Sequence, residues 1–214
     1  MNIAGRSLQF VQGFLKSYGP SNIKKILWDK EFSGGKWNFI DDTAGDCVYP
    51  HLARHLHKGS ILDLGCGPGN TANELSASTY QTYVGVDISE AALLKARRRT
   101  EENGRAEKNL FVKDDFLNFV PQQRFDLILF RESMYHVPIG KVKIILDYYA
   151  KYLKDGGVFV VRLHGGTTKH RPKAMLKVIE DEFEIIEKSQ YPEEATVLVF
   201  KPRRPCLAAP VDGV

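Results

Sequence analysis

A chain of 214 residues with 43% hydrophobic side chains is long and apolar enough to bury the core of one ordinary domain. Its 30 Lys and Arg against 26 Asp and Glu leave a formal charge of +4, too slight an excess to mark a nucleic-acid binder, so no nucleic-acid partner is expected. Cys47, Cys66 and Cys206 have no paired spacing, which argues against a disulfide framework and a zinc site and suits a reducing cytoplasm.

The N-terminal stretch MNIAGRSLQFVQGFLKSYG lacks the apolar core and small-residue cleavage pattern of a secretory signal. No apolar run approaches the ~18 residues of a membrane span, so a soluble, cytoplasmic protein without a membrane partner is expected. Helical patterns cover 7–18, 23–29 and 44–57, with SGGKWNF as a loop, and residues 1–58 read as a helical cap over the carboxyl edge of the strands expected from residue 60 onward. Within it, spacing places His51 and His55 on one helical face with His57 nearby, the pattern of a solvated surface, with a metal pair as the other reading.

From residue 60 the runs SILDL, TYVGVD, NLFVKD, FDLILF and VFVVRL alternate with helical segments. Continuous apolar runs of this kind predict parallel strands in a sheet covered on both faces. In SEAALLKARRRTEENG, Ser89 is placed to cap a helix and Gly104 to end it. Further on, Val142, Ile145, Leu146, Tyr149 and Leu153 share a helical face, and Gly156 and Gly157 are expected to break that helix before the fifth strand. FEIIEKSQY and ATVLVFK are joined by too few residues for a parallel crossover, so the last strand must return antiparallel. The expectation is an α/β fold with a doubly wound, seven-stranded, mostly parallel sheet, an antiparallel last strand and helices on both faces. Residues 59–202 form its core and 203–214 a flexible tail.

ILDLGCGPGN sets its glycines between the first strand and the next helix, where open parallel sheets bind ligands. A dinucleotide fingerprint reads G-x-G-x-x-G, whereas Gly65, Gly67 and Gly69 give G-x-G-x-G. Pro68 also removes a backbone donor that a pyrophosphate would want. Asp87, 20 positions after Gly67 at the end of the second strand, sits where a carboxylate accepts ribose hydroxyls. A ribose without a diphosphate points to an adenosyl compound.

LDLGCGPG, VGVDIS, FVKDDF, FDLILF and LKDGGVFVVR, in this order over residues 60–201, resemble the successive motifs of class I, Rossmann-like S-adenosylmethionine-dependent methyltransferases. The resemblance implies S-adenosylmethionine as cofactor and S-adenosylhomocysteine as product. It implies that the backbone of Gly65, Cys66 and Gly67 faces the methionine part, Asp87 the ribose and Ile88 one face of the adenine. Asp115 would take the adenine amino group, with Asp114 as the alternative acid and Phe116 beside the ring. The strand end at Arg131 would meet the methionine amine. Asp63 is read as shaping the loop, and Trp37 as either a lid against the cofactor or an anchor of the N-terminal helices.

Displacement at a sulfonium asks mainly that the acceptor atom be held close and in line, with a base only when the acceptor arrives protonated. The exit FRESMYHV differs from the NPPY-like sequence with which similar enzymes grip a nucleobase or glutamine amine, and the chain is little longer than the core. Both features resemble enzymes acting on an oxygen or nitrogen of small metabolites or natural products. His136 is the candidate base, with support of the loop as the other reading, and Tyr135 could orient a hydroxyl or stack on an aromatic acceptor. Glu132 alone is too little for a metal-dependent, catechol-type site, so no metal is expected. His164 is a second candidate base, and Arg162 could meet an acidic substrate or be capped by its own loop. Three rival functions remain open: a methyltransferase for protein or RNA, a non-catalytic cofactor-binding partner, and an NAD-dependent oxidoreductase. Against the first, the one basic cluster, KARRR at 95–99, lies away from the transfer edge.

Overall fold

A computed structural model of the chain describes residues 3–37, 43–166, 168–192 and 195–203. Three helices come first, α1 Ile3–Tyr18, α2 Ser21–Ser33 and α3 Tyr49–Leu56. Then β1 Ser60–Leu64, α4 Asn70–Glu74, β2 Thr82–Asp87, α5 Glu90–Glu102, β3 Asn109–Lys113 and β4 Phe125–Arg131 alternate. Short 3₁₀ turns at Met134–His136 and Ile139–Lys141 lead into α6 Val142–Ala150, β5 Leu153–His164, α7 His170–Glu182, β6 Phe183–Gln190 and β7 Ala195–Pro202.

The seven strands form one sheet in the order β3-β2-β1-β4-β5-β7-β6. Strands β1 to β5 pair in parallel, and β7 runs antiparallel to both β5 and β6, between which it is inserted. Alternate residues of each inner strand serve opposite faces. Ile61, Leu127, Leu129, Val158 and Val160 join Leu52, Leu56, Leu93 and Ala96 in one core, while Leu62, Ile128, Phe130 and Phe159 join Leu146, Met175 and Ile179 in the other. Both faces are dry, which is why the strands read as unbroken apolar runs.

Ser89 caps α5 as expected, its Oγ accepting from the Ala92 N–H at 3.2 Å. Three local expectations are corrected. Helix α3 starts at Tyr49, with turns before it, because Gly45 takes φ 81° and Pro50 suits only a first helical turn. Helix α6 ends at Ala150, so Gly156 and Gly157 lie inside β5, beside a register shift in β4 between Phe125 and Leu127. A Cβ on Gly157 would stand 3.1 Å from the carbonyl oxygens of Phe125 and Asp126, a tight backbone approach that favours glycine. His51 is buried rather than solvated and bonds the Tyr191 hydroxyl at 2.7 Å. Cys206 and the tail from 204, the turn residues 193–194 and positions 38–39 of the SGGKWNF loop lie outside the described residues.

Candidate functional site

A cavity of about 1150 Å³ opens at the carboxyl ends of the parallel strands, bounded by the loop after β1, by α1 and α2, and by the start of α7. Gly65 takes φ 81°, and a methyl there would come within 2.4 Å of Ser133 Cβ. Gly67, at φ 53°, faces open space: the nearest atom to a methyl would be Phe32 Cζ at 3.8 Å. The loop's donors are already engaged. Gly65 and Cys66 N–H reach the Val86 carbonyl at 2.8 and 3.1 Å, Gly67 N–H reaches Asp87 Oδ2 at 2.8 Å, and Gly69 N–H reaches the Cys66 carbonyl at 3.1 Å. Residue 68 is proline, so this loop has no free N–H nest for a pyrophosphate. Arg99, from the KARRR cluster, braces the loop through the Pro68 carbonyl at 3.2 Å and Asn70 Oδ1 at 2.6 Å.

Three carboxylates stand at the strand exits. Asp63 accepts from the Tyr83 hydroxyl at 2.7 Å through Oδ2, while its buried Oδ1 has no partner among the described residues. Burial pushes its pKa up to about 6 despite that hydrogen bond. Asp87 is raised to about 6 by burial as well, against the N–H groups of Ser89 and Gly67. Asp115 is held by Leu117 N–H at 3.1 Å, by Ser21 Oγ at 2.8 Å and by Lys24 Nζ at 3.1 Å, the last two from α2. Ile88 and Phe116 line the same cavity, Phe116 packing edge-on against Phe130 at 6.0 Å.

Helix α2 supplies an aromatic wall. Trp28 and Phe32, four positions apart on one face, meet Trp37 at 5.9 and 6.3 Å, and Trp37 Nε1 donates to Glu31 at 3.0 Å. Lys16 of α1 lies 4.0 Å over the Trp28 ring and pairs with Glu31. Asp29 receives the Ser89 hydroxyl at 2.8 Å, so α2 touches the chain beyond both β2 and β3. Trp37 thus lines the cavity and packs on α2.

The exit of β4 is a charge network that sequence reasoning did not assemble. Arg131 and Arg162 share Asp46 at 2.8 and 3.5 Å, and Arg131 also reaches the Tyr49 hydroxyl at 3.1 Å. Burial would raise the Asp46 carboxyl, but the two guanidinium groups and the Val48 N–H bring it below its ordinary value. Arg162 also pairs with Glu132, whose φ of 56° is rare for a residue with a side chain. The Tyr135 hydroxyl donates to Glu132 and accepts from His164 N–H, so its proton is already committed within the protein. No local signal announces a left-handed glutamate, whereas the Trp28 and Phe32 spacing was visible.

His136 ends the 3₁₀ turn, its N–H on the Ser133 carbonyl at 3.1 Å and its ring edge-on to Trp28 at 4.8 Å. Among the described residues its ring nitrogens have no hydrogen-bond partner. Burial, then the cations of Lys16, Arg171 and Lys24, push its pKa down to about 4, so the ring is neutral at pH 7. His164 and Arg162 line the cavity too, while His51, His55 and His57 do not.

A family profile described as "Methyltransferase domain" matches residues 61–157. A relative named sterol 24-C-methyltransferase, from Aspergillus fumigatus, is 31% identical over 139 residues, 60% of this chain and 36% of that protein. The chain spans about a third of the length of the curated relatives it matches. Among solved structures, the N-methyltransferase NodS of Bradyrhizobium japonicum with S-adenosylhomocysteine superposes with TM-score 0.62 at 20% identity, over 78% of this chain and 92% of that one. The magnesium protoporphyrin IX methyltransferase of Synechocystis, also with S-adenosylhomocysteine, gives 0.64 at 14% identity over 85% and 99%.

Proposed function

We propose, from the chain's membership of the class I, Rossmann-like S-adenosylmethionine-dependent methyltransferases, that it transfers a methyl group to an oxygen or nitrogen of a small molecule. The observation that carries the cofactor half is the loop itself. Its N–H groups are engaged, so it does not suit a phosphate, while the orphaned Asp63 Oδ1 beside it suits an ammonium. The residues present therefore fit S-adenosylmethionine.

In this reading Gly65, Cys66 and Gly67 face the methionine part, with Asp63 for its ammonium and the strand end at Arg131 nearby. Asp87 receives the ribose hydroxyls, Ile88 and Phe116 flank the adenine, Asp115 takes its amino group, and Trp37 serves as lid. When bound, S-adenosylmethionine supplies an electrophilic methyl carbon on a sulfonium. The chain's own residues hold the acceptor in line and keep the space dry, with α1 and α2 as the cover over residues 59–202. Neutral His136 can accept a hydrogen bond from an acceptor hydroxyl or from the N–H of a neutral amine and so orient its lone pair.

A concave, aromatic-walled cavity of this size suits a small acceptor better than a protein or RNA. The relatives named sterol 24-C-methyltransferase are matched over only about a third of their own length, so their acceptor carbon does not carry over to this chain. We place the activity in the cytoplasm, a compartment in which the free thiols of Cys47 and Cys66 persist. Calorimetry with S-adenosylmethionine and NAD side by side tests the cofactor. A tritiated-methyl transfer screen on metabolite and macromolecule fractions tests the acceptor. Label in small molecules is expected; tight NAD binding, or label only in polymer, would overturn the reading.

A further inference from the structure

We infer that the acceptor carries an anionic group, a carboxylate or a phosphate monoester, and that Arg171 and Lys169 at the start of α7 receive it. This names the acceptor class for the methyl-transfer reading above and rests on it. The cavity is electrically sorted. Among the described residues, Asp63 and Asp87 at the strand exits have no cation within ion-pair distance, whereas Lys169 and Arg171 at the start of α7 have no carboxylate within it. Most of the lining cations are neutralised inside the protein: Lys16 by Glu31, Lys24 by Asp115, and Arg131 and Arg162 by Asp46 and Glu132. The sequence alone offered Arg162 to an acidic substrate, but its charge is already matched.

Arg171 and Lys169 are different. Among the described residues neither has a carboxylate within ion-pair distance. Among the described residues the Arg171 guanidinium donates to two neutral oxygens, Ser17 Oγ and the Val137 carbonyl, both at 3.3 Å, and its buried Nε has no partner there. Arg171 is half-buried with its Nε out of reach of water, and an anion from the ligand would give that N–H an acceptor and the guanidinium a counter-charge. Helix α7 has no acidic residue in its first turn and no side-chain cap, so its amino end adds to the same positive field. The field is felt inside the protein: Lys16, Arg171 and Lys24 help to hold His136 neutral. A donor that brings a sulfonium to the acidic end and an acceptor that brings an anion to the basic end would each meet its opposite.

The test uses the full chain loaded with S-adenosylhomocysteine and a panel of aromatic carboxylates and phenyl phosphates, each beside an uncharged twin such as the carboxamide or methyl ester. Calorimetry should find at least one anionic probe bound about tenfold more tightly than its twin. The preference should vanish in Arg171→Gln and largely survive in Arg171→Lys. Whether carboxylates or phosphates carry it identifies the group. Anionic probes that bind no better than their twins would overturn the proposal. So would an equal loss in Arg171→Gln and Arg171→Lys, which would mark Arg171 as a clamp between α1 and the 3₁₀ turn. Failure of S-adenosylhomocysteine itself to bind would overturn the methyltransferase reading, and the proposal with it.

Discussion

Lys24 of α2 and Asp115 beyond β3 form an ion pair at 3.1 Å with side chains only 9% and 7% exposed. The cap is therefore fastened to the very carboxylate proposed for the adenine amino group. Removing one member strands the other charge in a dry place. Lys24→Met is expected to cost about 3 kcal/mol of stability, read by denaturant unfolding. Hydrogen exchange should rise in α2 before it rises in the sheet. Combined with Asp115→Asn, the loss should fall short of the sum of the two single losses, as for any coupled pair.

Gly65 and Gly67 stand two positions apart but should respond differently to alanine. At Gly65 the added methyl would overlap Ser133 Cβ at 2.4 Å, so Gly65→Ala is expected to fold poorly. At Gly67 there is room, and the left-handed φ alone costs roughly 1 kcal/mol. Gly67→Ala should keep a cooperative unfolding transition and lose S-adenosylhomocysteine affinity, by about tenfold or more, because its methyl occupies cavity space. Equal affinity in Gly67→Ala and the parent would show that the cofactor does not approach this backbone.

The buried carboxyls of Asp63 and Asp87 titrate near 6 in the free protein, against about 4 in an unfolded chain. Between those values the folded state holds the extra protons, so the free protein loses stability as pH rises through the window. A cofactor that donates hydrogen bonds to both needs them ionised. Its affinity should rise from pH 5 to pH 7, by up to about tenfold per carboxylate, then level off. Calorimetry in buffers of differing ionisation enthalpy should detect proton release at pH 5, and Asp63→Asn should flatten part of the rise.

With His136 held neutral down to pH about 4, methyl transfer should show no step near pH 6.5 that depends on this residue. His136→Ala should lower kcat/KM for the acceptor by about 100-fold and S-adenosylhomocysteine affinity by less than about threefold. Parallel losses in both would instead assign His136 to supporting the turn.

The strands and the glycine loop were legible because their signals are local: unbroken apolar runs for a sheet dry on both sides, and glycine where a Cβ cannot fit. Asp87 could be found because a fixed distance along the chain separates it from Gly67. The network around Glu132 could not. Asp46, Arg131 and Arg162 come from three separate segments, and a side chain in the left-handed region leaves no mark in the sequence. Arg171 was invisible for the same reason, since what distinguishes it is that no carboxylate among the described residues reaches it. Gly156 and Gly157 misled because glycine ends a helix and permits a bulge equally well.

Strand β6 touches the sheet only through β7, although it precedes β7 in the chain. The edge of β5 therefore stays bare until residues 195–202 arrive, and β6 cannot dock ahead of them. Either the two strands pair first and join as a unit, or β7 adds alone and β6 comes after it. In both routes the β6–β7 pairing governs when the exposed edge of β5 is covered, so defects there should slow refolding and raise aggregation during it, beyond their effect on the finished protein.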